Sequence, residues 1–117
     1  MTSEGECTRI VYARAGLGDR DMRRCEACGA ASPLSRQHRV KRSHGGTWEP
    51  SNIAVLCGDG VAGCHGRAER YDPVMVADGW ALPSHVDPRH VPVRHHVFGV
   101  VWLDDEGGYH FKAPEGS

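Results

Sequence analysis

The chain has 117 residues, 39% of them hydrophobic and 7% aromatic, with 14 basic residues, 15 acidic residues and a formal net charge of −1. This is material for one small, polar domain, a size at which a metal staple adds needed stability. The charge announces no partner, no apolar run approaches the ~20 residues of a membrane-spanning helix, and no signal-peptide core opens the chain, so a cytoplasmic protein is expected.

In chain order, residues 1–6 carry no pattern and are expected to be disordered. Thr8 to Ala15, with Ile10, Val11 and Tyr12, reads as a short helix or strand that Gly16-Leu17-Gly18-Asp19 breaks. Arg20 to Arg24 leads into Cys25-Glu26-Ala27-Cys28, which Gly29 closes, and Ala30 to Ser35 is a loop with Pro33. Gln37 to Arg42 reads as a strand. His44 to Pro50 is a connecting loop, tightest at Gly45-Gly46. Ile53 to Leu56 is a wholly apolar second strand that should be buried.

His65 to Tyr71 reads as a charged helix. Asp72-Pro73 then has the form of an N-cap followed by proline in the first helical position, with Gly79 as the stop, so Val74 to Asp78 is a second short helix and Trp80 packs back on the core. Leu82 to Pro92 is an extended, proline-rich connection. Val93 to Leu103 is rich in β-formers, residues 104–108 make a turn, and Tyr109 to Lys112 returns as a strand, which together read as a C-terminal hairpin. The expected organisation is an N-terminal segment over 1–19, a metal-bearing domain over 20–81, and an extension with the β-hairpin over 82–117.

Four cysteines have metal-knuckle character. Cys25 and Cys28 have standard zinc spacing. Cys57 and Cys64 enclose Gly58-Asp59-Gly60-Val61-Ala62-Gly63, whose three glycines permit the tight or positive-φ backbone that turns two sulfurs onto one ion. Buried thiols or a disulfide are the alternatives. Knuckle spacing in a chain read as intracellular favours one structural Zn²⁺. The fifth cysteine, Cys7, is left over as a free thiol near a loose terminus.

Charge is unevenly placed. From Arg20 to Arg42 seven basic residues face two acidic ones, a net of +5, whereas from Asp72 to the end three basic residues face seven acidic ones, a net of −4. Arg36, Arg39, Lys41 and Arg42 make a patch suited to phosphate contacts, against a solvated basic face, which is the commoner meaning of such a run by itself. The histidines of the tail (His85, His90, His95, His96, His110) match no metal spacing, and adjacent His95 and His96 in a strand are expected on opposite faces.

The order His38, Asn52, Cys64-His65, bracketed by the cysteine pairs, resembles the HNH endonuclease family, and more narrowly its small zinc-stabilised phage members. The resemblance covers Cys25 to about Trp80, roughly half the chain. It implies an α+β fold in which residues 20–81 form a ββα-metal (His-Me finger) HNH domain held by a zinc knuckle. It implies a divalent-metal-dependent DNA endonuclease, nicking or cutting duplex DNA with low sequence specificity in the host-cell cytoplasm, working alongside phage terminase subunits in DNA packaging.

In that reading His38 is the general base. Its imidazole titrates near neutrality and can take a proton from the attacking water. Asn52 orients the His38 ring. His65 ligates a catalytic Mg²⁺ or Mn²⁺ that binds the scissile phosphate. The chain departs from the family pattern at two ligand positions. Gln37 precedes the base where Asp or His is usual, and Glu69 stands four residues after His65, on the same helical face. A carboxylate suits Mg²⁺ or Mn²⁺. The competing readings are a zinc-stabilised DNA- or protein-binding module without catalysis, which Gln37 favours, and a subunit of a larger assembly that docks through its acidic hairpin.

Overall fold

The computed structural model describes residues 2–115. Helix α1 spans Glu4–Ala15. Ser3 caps it by accepting the Glu6 N–H at 3.1 Å, Glu4 and Glu6 lie in the first turn, and Arg14 lies in the last, all in line with the helix dipole. Cys7, Val11, Arg14 and Ala15 are buried on one face, a helical spacing the sequence disguises because two of the four are not conventional core residues. The expected disorder over 1–6 is thus corrected for residues 3–6, which cap and begin the helix; residue 1 lies outside the described residues. Cys7, expected near a loose terminus, is fully buried.

Strands β1, Leu34–His38, and β2, Ile53–Cys57, pair antiparallel with Leu34 opposite Cys57 and His38 opposite Ile53. The first strand begins three residues earlier than expected and ends at His38, because the chain beyond it is held in a different way: the Val40 N–H and C=O both bond to the Asn52 side chain. β2 is buried on both faces, as its apolar run predicts. Alternation sends Ile53 and Val55 into a small core with Cys7, Val11 and Ala15, and sends Ala54 and Leu56 into the main core with Cys25, Met75 and Trp80.

Helix α2, Gly63–Glu69, lies against this hairpin. Gly66 permits its close approach to the preceding loop, since a Cβ there would stand 2.4 Å from the Val61 carbonyl. Helix α3, Pro73–Ala77, starts on the expected cap: the Asp72 side chain accepts the Val74 N–H at 2.9 Å. Gly79 ends it with φ +83, and Trp80 is fully buried.

The expected hairpin is a three-stranded meander of β3 (Val93–His95), β4 (Gly99–Leu103) and β5 (Tyr109–His110). A tight turn over 96–98 divides the run that reads as one strand in the sequence, with Gly99 at φ +72 just past it. That turn also corrects the histidine geometry. His96 lies beyond the strand end, so the His95 and His96 rings stand 4.6 Å apart instead of on opposite faces. Val93, Val101 and Leu103 enter the same core as Leu56 and Trp80, so the main core runs across the boundary at residue 81.

Two buried arginines bind these parts together. Arg14 forms an ion pair with Glu26 at 2.8 Å and donates to the carbonyls of Pro50 and Ile53. Glu26 also accepts from the Tyr109 hydroxyl and from the Val55 N–H. Burial alone would raise the Glu26 carboxyl, but the Arg14 guanidinium and these donors outweigh it and hold the group below its ordinary range. Arg39 is fully buried and forms no ion pair with a carboxylate among the described residues. It donates to the carbonyls of Gly79, Ser51, Pro88 and Val91, and burial lowers its pKa to about 9.

Candidate metal centre and catalytic groove

The four cysteine sulfurs lie within 4.8 Å of one another, with Cys28 and Cys57 at 3.6 Å. Tetrahedral zinc–thiolate bonds of ~2.3 Å require sulfurs about 3.8 Å apart, so the set fits one ion. The backbone supports that fit. Gly58 and Gly63 take φ +87 and +69, and Asp59 accepts the N–H groups of Val61 and Ala62 at 2.8 Å, folding the six-residue loop between the second pair. The N–H groups of Cys28 and Cys64 point at the sulfurs of Cys25 and Cys57, each at 3.4 Å, an arrangement that stabilises thiolate charge.

Burial raises the Cys25 thiol to about 11 and Cys64 further still. Burial thus disfavours the thiolate forms of these two sulfurs, and a cation at the centre of the cluster would offset that cost. The four cysteines can hold a structural metal ion. The cluster joins the knuckle after α1, the end of β2 and the start of α2, and so fixes the helix that carries His65 and Glu69.

On β1, Ser35 and Gln37 share the face that α2 covers. Ser35 Oγ lies 2.6 Å from His65 Nδ1 and 2.7 Å from the Gly58 carbonyl oxygen. This contact holds the imidazole by its Nδ1 side and leaves Nε2 on the side of Glu69. That nitrogen faces Glu69 Oε1 at 3.7 Å, the i,i+4 neighbour expected from helical spacing. Gln37 is buried, and its Oε1 has no hydrogen-bond partner. Burial lowers the pKa of His65, against the opposing pull of Glu69 and Asp59, and so keeps the ring neutral and able to bind a cation. Sequence reasoning missed Ser35, which carries no motif signal; it is recognisable only by standing across the strand pair from the helix histidine.

His38 is at the end of β1, its ring 4.4 Å from that of Trp48 in an edge arrangement, with Nε2 buried and unpartnered. Burial first, then the charges of Arg42 and Arg36, lower its pKa below the ordinary 6.5, while Glu69 pulls the other way. The Glu69 carboxylate therefore acts on both imidazoles.

Three expectations need correction. Asn52 does not orient the His38 ring. Its Oδ1 accepts the Val40 N–H, and its Nδ2 donates to the carbonyls of Val40 and Thr47, so it staples the ends of the β1–β2 loop. Arg39, expected among the phosphate contacts, is the buried strap described above and cannot reach a ligand. Lys41 is committed to α2: its Nζ donates to the Glu69 carbonyl at 3.0 Å and pairs with Glu69 Oε2 at 3.5 Å. Of the remaining pair, Arg42 is exposed beside Trp48. Arg36 lies half-buried over the same indole, bonded to Glu4 and Thr8 of α1.

No protein-family model, curated protein or solved structure matches the chain.

Proposed function

We propose that the chain is a divalent-metal-dependent HNH endonuclease that hydrolyses DNA phosphodiester bonds, built on a ββα-metal core whose four-cysteine cluster holds one structural Zn²⁺. The observation that carries the reading is the placement of His65: Ser35 holds its Nδ1 side, and its Nε2 faces the Glu69 carboxylate at 3.7 Å. Imidazole nitrogen and carboxylate are a donor pair suited to Mg²⁺ or Mn²⁺. A metal bound there would polarise the phosphate and stabilise the leaving oxygen.

The chain's own residues supply the rest. His38 is kept neutral at pH 7 and can accept the proton of an attacking water. Its sealed Nε2 leaves Nδ1 as the nitrogen that meets the water. Arg42 and Arg36, flanking Trp48 next to His38, are the phosphate contacts of the groove. Gln37 takes the position of the usual ligand before the base. By the same resemblance, the substrate is duplex DNA in the cytoplasm of a phage host, and terminase subunits are the partners.

A plasmid-nicking assay with Mg²⁺ or Mn²⁺ tests the reading. Wild type should nick, and His65→Ala should not, while retaining its zinc content and melting temperature. Loss of zinc on His65→Ala would instead place His65 in the cysteine cluster. One observation favours a second reading, a zinc-stabilised DNA- or protein-binding module: Lys41 already occupies the Glu69 carboxylate. Wild type that binds DNA but shows no divalent-dependent nicking would establish that module.

A further inference from the structure

Lys41 is the predicted phosphate contact whose charged end turns onto the Glu69 carboxylate. Its ammonium has a built cradle. It donates to the Glu69 main-chain carbonyl at 3.0 Å, sits 3.5 Å from Glu69 Oε2, and lies 4.6 Å from the centre of the Tyr71 ring. The carbonyl belongs to the last residue of α2, where the helix dipole favours a cation. Tyr71 itself closes the helix from the left-handed region at φ +54, a conformation a bulky side chain adopts only when its surroundings hold it there. On the other side of the same carboxylate stands His65 Nε2, at 3.7 Å from Oε1. Glu69 is thus shared between a tethered cation and the His65 imidazole.

We propose that Lys41 is an intramolecular competitor for the divalent ion: its ammonium holds the Glu69 carboxylate, and a metal gains Glu69 as a ligand beside His65 only by displacing it. This rests on the reading of His65 and Glu69 as the ligands of a catalytic ion. The physical argument is charge. An ammonium on the carboxylate lowers its availability to a second cation, and the two positive charges repel across a few ångströms in a partly desolvated groove. The side chain is 26% exposed, so the pair is weak enough to open. The consequence is a site whose metal affinity is set low by the chain itself.

Titration of the zinc-loaded full chain with Mn²⁺, followed by electron paramagnetic resonance, tests this without reference to activity. Lys41→Met and Lys41→Gln should each bind Mn²⁺ more tightly than wild type, by on the order of tenfold. Lys41→Gln keeps a donor for the Glu69 carbonyl and removes only the charge, so it separates competition from any loss of helix anchoring. The gain should vanish when His65→Ala is added. Equal or weaker Mn²⁺ affinity in both uncharged variants, with His65→Ala still weakening wild-type binding, overturns the competitor role and leaves the proposed function standing. Mn²⁺ affinity that His65→Ala does not change overturns both, because the ion is then bound elsewhere.

Discussion

At the scale of single residues, His38 and Asn52 separate chemistry from scaffolding. His38 has the burial and cationic neighbours that keep an imidazole neutral, so under the proposed endonuclease mechanism removing it should lower DNA cleavage by about 10²–10⁴-fold with binding retained. Because its pKa lies below the ordinary 6.5, the acid limb of the rate profile should fall below that value. The His38→Ala enzyme should lack the limb altogether, as pH–rate measurements would reveal. Asn52 behaves otherwise. Asn52→Ala strands the Val40 N–H and two carbonyls in a buried loop, at a cost of about 2–4 kcal/mol. Its signature should be a lowered unfolding midpoint in urea with the acid limb unmoved. A displaced limb in folded Asn52→Ala would return the residue to a direct role on the ring.

At the scale of elements, the knuckle between α1 and β1 does two jobs that its four residues do not advertise. Its cysteines reach the four-cysteine cluster, while Glu26 between them turns inward to Arg14, Val55 and Tyr109 and so joins α1, β2 and β5. Glu26→Gln keeps an acceptor for the Val55 N–H but leaves the Arg14 guanidinium buried without its counter-charge. Removing one partner of such a pair costs about 3–5 kcal/mol, a loss to be read from urea unfolding of the zinc-loaded protein. Loss of the cluster should be worse. Structural zinc contributes roughly 10 kcal/mol in small domains, and the four-cysteine cluster that could hold it includes the start of α2. Cys28→Ser should therefore abolish the folded circular-dichroism spectrum, and a zinc-free wild type that keeps that spectrum by elemental analysis would refute the structural role.

At the scale of the whole molecule, the C-terminal meander is the lid of the main core. His95 is buried there against His96, Phe98 and Tyr109, with Nδ1 accepting the N–H groups of Val97 and Phe98. Burial above all lowers its pKa to about 4, against the pull of Glu26 and with the repulsion of His96 and Arg14. The unfolded chain then binds the extra proton first as pH drops below about 6.5. Stability should fall between pH 6.5 and about 4 and level off beneath. His95→Asn keeps an acceptor for the turn without titrating there, so with zinc in excess its stability should decline less over that interval. Parallel slopes for the two proteins in urea titrations at stepped pH would remove His95 from the acid sensitivity.

The sequence alone was enough for features set by local chemistry. The Asp72 cap, the Gly79 stop and the burial of Ile53–Leu56 follow from side chains acting on their own backbone or from an unbroken apolar run. The cysteine spacing likewise placed four sulfurs on one centre, because two short loops with suitable glycines leave thiols few other arrangements. Glu69 beside His65 followed from the helical repeat. What tertiary structure decided is where each polar group finds its partner. Arg39 and Arg42 are indistinguishable in the sequence, yet one is walled in by carbonyls from three distant segments and the other stands in solvent. Asn52 bonds to Val40, twelve residues earlier, instead of to His38, and Ser35 becomes the partner of His65 only because β1 and α2 pack face to face. Hydrogen-bond partners far apart in the chain are selected by packing, and no periodicity or spacing encodes that selection.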